Sequence, residues 1–103
     1  MSKSDQVIEF YVDKNILENS EYFERENKII VNQSFFNNPE EIIMRSIMHV
    51  IKRISWIKNY PRGKKVNSVI DSIKFSNKNV KLTLSGCIIE KIQDSVIIYP
   101  EKR

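Results

Sequence analysis

The chain is 103 residues long, 41% hydrophobic and 29% charged, with a formal net charge of +4. This is one domain's worth of protein with a modest core, composed like a soluble globular protein rather than a disordered one. No apolar run exceeds the four residues of Val96-Ile97-Ile98-Tyr99, so the roughly 18 to 20 residues of a membrane-spanning helix are missing.

Taken in chain order, residues 5–18 open with a mixed pattern. Val7, Ile8, Tyr11 and Val12 fit helical spacing, and so do Val12 and Ile16. The run from Val7 to Val12 is also rich enough in β-branched and aromatic residues to be a strand. The segment is read as a helix. Residues 20–33 are polar apart from one apolar burst, Ile29-Ile30-Val31, which suits a short strand. Asn38-Pro39-Glu40-Glu41 reads as a helix start, with Asn38 as N-cap, proline at the first helical position and acids in the first turn. Ile43, Ile47, Val50 or Ile51, and Ile54 follow at spacings of three and four, with Met44 and Met48 widening the stripe. Residues 39–55 are therefore an amphipathic helix, with Arg45, His49, Lys52 and Arg53 together on its polar side.

Pro61-Arg62-Gly63 interrupts that pattern. A second helix is predicted over about residues 63–74, with Val66, Val69, Ile70 and Ile73 on its inner face. Arg62, Lys64 and Lys65 crowd its start, where a cation is unfavourable against the positive dipole end. Residues 76–79 make a turn. Lys81–Leu84, Cys87–Ile92 and Val96–Tyr99 then read as short strands, the last two joined by Gln93-Asp94-Ser95. The predicted class is α+β: a small helical domain of two or three helices, followed by a short antiparallel β-hairpin or three-stranded sheet.

Charge is unevenly spread. Residues 1–44 hold four basic and nine acidic side chains, whereas residues 52–81 hold nine basic side chains against the single acid Asp71. A basic block of this kind is what a phosphate-facing surface looks like in a sequence. The plainer reading is a solvated lysine face. Lysine outnumbers arginine twelve to five beside 17 Ile and 10 Asn, a bias that A- and T-rich codons alone would produce.

No catalytic constellation is legible. His49 is the lone histidine and Cys87 the lone cysteine, so neither a metal site of the usual zinc ligands nor an internal disulfide can form. Cys87, between Leu84 and Ile88-Ile89, reads as a small core residue. His49, between Arg45 and Lys52, reads as a solvated side chain. A single cysteine and the lack of an apolar leader after Met1 point to the cytoplasm.

The order of several local words resembles a known family. Asn38-Pro39-Glu40-Glu41 precedes the Arg45 helix. Tyr60-Pro61-Arg62 follows it, then Thr83-Leu84-Ser85-Gly86-Cys87, then a strand ending Ile97-Ile98-Tyr99. Over about residues 20–100 this is similar to the stretch after the ATPase domain in shorter bacterial tRNA(Ile)-lysidine synthases. Two details depart: the turn has one proline where the family has two, and Ser85 stands where the family has glycine. The family's Ser-Gly-Gly-x-Asp-Ser loop for the pyrophosphate part of ATP does not occur in this chain.

The resemblance implies a single domain matching the C-terminal region of such an enzyme, without the ATP-binding domain and not catalytic by itself. It implies a tRNA partner, an isoleucine tRNA in the family, whose wobble cytidine is adenylated with ATP and then joined to lysine. ATP and Mg are expected in the missing catalytic domain, supplied by a separate ATPase-domain chain, and no cofactor is expected in this one. The candidate tRNA-binding residues are Arg45, Lys52, Arg53, Lys58, Arg62, Lys64 and Lys65 for phosphates, with Tyr60 or Trp56 to stack on a base. The alternatives are a protein-interaction or regulatory module that docks a partner chain through the acidic N-terminal part and the apolar helix at 39–55, and a nonfunctional remnant of a split gene.

Overall fold

A computed structural model describes residues 3–55, 63–76 and 78–101. The N-terminal segment is a helix, α1 (Lys3–Asn19), which runs directly into strand β1 (Ser20–Phe23). A turn with Asn27 at φ 49° reverses the chain into β2 (Lys28–Val31). The Asn27 side chain accepts from the Tyr22 hydroxyl at 3.1 Å and donates to the Ile54 carbonyl at 3.5 Å. The left-handed turn residue thereby also ties this hairpin to the end of the next long helix. A 3₁₀ turn, Gln33–Phe36, follows, capped by the Asn32 side chain on the Phe35 N–H, and buries Phe35 and Phe36.

Helix α2 (Glu40–Ile54) forms where its periodicity places it, burying Ile42, Ile43, Ser46, Ile47, Val50, Ile51 and Ile54. Its start differs from expectation. Pro39, not Asn38, is the cap, and the Pro39 carbonyl accepts from the N–H groups of Ile42 and Ile43. Asn38 instead turns its amide back, donating to the Ser34 and Phe35 carbonyls and to Asn15 Oδ1. The carbonyls left over by the 3₁₀ turn compete for that side chain and win, because buried acceptors left unpaired are costly.

Helix α3 (Gly63–Phe75) buries Val66, Val69, Ile70 and Ile73, as its spacing predicts. Its C-terminal carbonyls are met by a side chain from the sheet: Lys91 Nζ donates to the Ile73 carbonyl at 2.9 Å and to that of Ser76 at 2.8 Å. Strands β3 (Val80–Leu84), β4 (Cys87–Ile92) and β5 (Ser95–Pro100) complete the chain. Ser85 and Gly86, at φ 49° and 78°, make the two-residue turn between β3 and β4. The β4–β5 connection is tighter than predicted, since Ser95 already pairs with Ile92 and leaves only Gln93 and Asp94 in the turn.

The class is α+β, with one antiparallel sheet of five strands in the order β1-β2-β5-β4-β3. The expected hairpin or three-stranded sheet is thus too small, and the order of helices first and sheet last does not hold. The β1–β2 hairpin lies between α1 and α2 in sequence and joins the sheet through β2 beside β5, with Ile29 opposite Ile98 and Val31 opposite Val96. Ile29, Val31, Leu84, Cys87, Ile89, Val96 and Ile98 turn one sheet face onto the apolar sides of α2 and α3 in a continuous core. Helix α1 lies against α2 through Val12 and a buried polar knot. Asn15 Nδ2 donates to the Phe35 carbonyl and to Ser46 Oγ, while its Oδ1 accepts from Asn19 and Asn38.

Candidate nucleic-acid interface

Three of α2's polar residues, Arg45, His49 and Lys52, stand at i, i+4 and i+7 and so share one stripe. The stripe faces α1, which extends Glu9 across it. Glu9 Oε1 lies 3.4 Å from Arg45 Nη1 and Oε2 lies 3.3 Å from His49 Nε2. On its other edge Arg45 donates through Nε to Glu41 at 2.8 Å, one helical turn back. Glu9, Arg45, Met48, His49 and Lys52 line a shallow depression of about 280 Å³.

Arg53 belongs elsewhere. It lies one step further round the helix, and its guanidinium sits 4.4 Å above the centre of the Tyr22 ring. This is a cation–π contact with the β1–β2 hairpin. The expectation that Arg45, His49, Lys52 and Arg53 stand together holds for the first three only. Lys64 and Lys65 are exposed on the first turn of α3, which carries no acidic residue. A Cβ placed on Gly63 would lie 3.5 Å from Met44 Sδ, so this basic turn is seated beside the N-terminal half of α2. Lys58, Tyr60 and Arg62, together with Trp56, lie outside the described residues.

Two further lysines sort themselves by their contacts. Lys91 is committed to the end of α3 and borders a cleft of about 160 Å³ with Gln33, Phe36 and Asp94. Lys81 is exposed on β3, opposite Glu90 in register. Cys87 is fully buried, as expected of a core residue, and burial pushes its thiol up from the usual value, partly offset by a hydrogen bond with Ser55. Among the described residues no three metal-ligating side chains gather, and no helix is long and apolar enough to cross a membrane.

Sequence reasoning missed Glu9, while His49 is exposed as read and lies 3.3 Å from that carboxylate. The spacing of Arg45, His49 and Lys52 could have flagged the histidine. Glu9 left no local signal, because it meets Arg45 from 36 residues away. The two parts considered for partner docking, the acidic N-terminal part and the helix at 39–55, differ in what they leave exposed. The apolar face of α2 is spent in the core, whereas α1 exposes Val7, Phe10, Tyr11 and Leu17 along a single outer stripe.

With that geometry in place, similarity to known proteins agrees with the resemblance carried by the local words. The chain is similar to tRNA(Ile)-lysidine synthase. The enzyme of that name from Wolbachia pipientis wMel is 33% identical over 67 residues, which is 65% of this chain and 16% of the relative. The tRNA(Ile)-lysidine synthase of Wolbachia sp. subsp. Brugia malayi (strain TRS) matches with the same identity and the same coverage. The aligned part is thus a small portion of each relative's length. No protein-family model and no solved structure matches the chain.

Proposed function

We propose that this chain is a tRNA-gripping accessory region of the tRNA(Ile)-lysidine synthase type, not catalytic by itself. The supporting observation is the cation stripe of Arg45 and Lys52 on α2, with the exposed Lys64 and Lys65 on the adjoining turn of α3. Long cationic side chains on rigid helices suit backbone phosphates, which position an RNA without reading its sequence. Isoleucine tRNA is the proposed partner because the similar proteins carry it in their name. Those relatives are far longer than the aligned stretch, so ATP and Mg chemistry is proposed to reside in a catalytic domain that this chain serves. Purified protein should bind tRNA with an affinity that drops steeply as salt rises. Equal binding to any polyanion of similar charge would reduce the reading to bulk charge.

A second reading is favoured by α1. Phe10 is 63% and Leu17 83% exposed, and large apolar side chains in a row on one helix face are surface that a partner covers. On this reading α1 packs against the ATP-using domain and leaves the cation stripe of α2 to the RNA. Gel filtration at low and high salt separates the two. A salt-resistant complex with that domain supports the second reading, and salt-sensitive tRNA binding alone supports the first.

A further inference from the structure

We propose that Arg45, His49 and Lys52 form a binding pocket for a nucleic-acid phosphate in which the Glu9 carboxylate holds the phosphate's place until RNA displaces it. The inference rests on the tRNA-binding reading and names the site and its internal competitor. The carboxylate sets its two oxygens against two different residues, Oε1 3.4 Å from Arg45 Nη1 and Oε2 3.3 Å from His49 Nε2. A phosphate, with more oxygens at similar separation, could bridge the same two side chains and also reach Lys52 on the rim.

The distances say which anion is the tenant. Arg45 holds Glu41 at 2.8 Å, the length of a fully formed charge-assisted bond, but holds Glu9 at only 3.4 Å. Charge-assisted N–H···O bonds fall at about 2.7 to 2.9 Å, so the Glu9 contacts are loose and open to replacement. Glu41 accepts from Arg45 Nε, and Nη1 of the same guanidinium donates to Glu9 at the depression. Among the described residues the titratable and charged groups lining the depression are Glu9 from α1 and Arg45, His49 and Lys52 from α2, with Met48 the apolar residue beside them.

A purely structural role for Glu9, stapling α1 to α2, is the competing explanation. Its side chain and that of His49 are 37% and 47% exposed, and ion pairs so open to water contribute little to stability. Helix α1 is already anchored by Val12 and the Asn15 hydrogen bonds. The Glu9 contacts are therefore dispensable for folding, and their consequence is to mask positive charge.

The lone histidine supplies the test, since its imidazole proton signal in an NMR spectrum reports this pocket and no other. Inorganic phosphate is titrated into the wild type, Glu9→Gln and the control Glu21→Gln, which removes the same charge from exposed Glu21 on β1. The His49 signal should move with phosphate in all three, and the midpoint in Glu9→Gln should fall roughly five- to tenfold, against less than twofold in the control. Adding Arg45→Gln to Glu9→Gln should abolish the gain. A static His49 signal, or equal midpoints in Glu9→Gln and Glu21→Gln, overturns the proposal, and the wild-type titration decides even if a variant misfolds.

The same series is then run with deacylated tRNA. If tRNA binds while His49 ignores both ligands, the pocket is refuted and the tRNA reading stands. If phosphate moves His49 in the predicted order but tRNA does not bind, the pocket stands and the tRNA reading falls.

Discussion

Replacing Asn15 by Ala removes the polar knot that seats α1, and with it the element that carries Glu9. Asn15 is 3% exposed and makes four hydrogen bonds: 3.2 Å to the Phe35 carbonyl, 3.1 Å to Ser46 Oγ, 2.9 Å from Asn19 and 3.1 Å from Asn38. The cost is smaller than four orphaned groups would imply, because the partners have other outlets. The Phe35 carbonyl keeps Asn38, Ser46 keeps its bond to the Ile42 carbonyl, and Asn19 is half-buried and reaches water. At about 0.5 to 1.5 kcal/mol for each net bond, with a small cavity added, the variant should lose roughly 2 to 4 kcal/mol. That is a large part of the total for a chain of this size. Urea unfolding followed by circular dichroism at the helix band measures it. The same midpoint and slope as wild type, within about 0.5 kcal/mol, would refute the view that this knot anchors α1.

Other perturbations separate structural from binding roles. Lys91→Met removes two donors from the end of α3 and should cost about 1 to 2 kcal/mol in urea, with tRNA affinity changing less than for any cation of the α2 stripe. Ser85→Asn puts a residue that tolerates left-handed φ before Gly86 in the β3–β4 turn, and should raise the urea midpoint by the equivalent of about 0.5 kcal/mol. The thiol of Cys87 and the phenol of Tyr99 are both raised in the folded state, Cys87 chiefly by burial and Tyr99 by burial and then Glu90. Each therefore keeps its proton in the fold at a pH where the unfolded chain has lost it. Their contribution is intact below the unfolded values, about 8.5 and 10, and is lost as pH rises through the folded ones. Urea midpoints should fall above about pH 8.5, and Cys87→Ala should flatten the first part of that decline.

Much of the fold was legible because it obeys a period. The α2 stripe from Ile43 to Ile54 and the α3 set from Val66 to Ile73 are buried where their spacing places them. What could not be read was set by distant partners. β1 is four half-polar residues, Ser20–Phe23, with no alternation of its own, and becomes a strand because β2 offers an edge. Asn38 resembles a helix cap and is diverted by the carbonyls of the 3₁₀ turn. The basic cluster was visible as composition, yet its division was not. Arg53 stacks on Tyr22, Lys91 closes α3, and the stripe of Arg45, His49 and Lys52 is faced by an acid from α1. The acidic start and basic middle of the chain are thus partly complementary to each other. Net charge by itself therefore overstates the positive surface left for an RNA.

The most direct measurement is the salt dependence of tRNA affinity for the wild type and for a variant with Arg45, Lys52, Lys64 and Lys65 replaced by Gln. If these cations hold RNA phosphates, the plot of log affinity against log salt should be steep for wild type. It should flatten by about 0.7 to 0.9 for each phosphate that the variant no longer neutralises. An unchanged slope in a folded variant, or no preference for tRNA over a simple polyanion, would contradict the account.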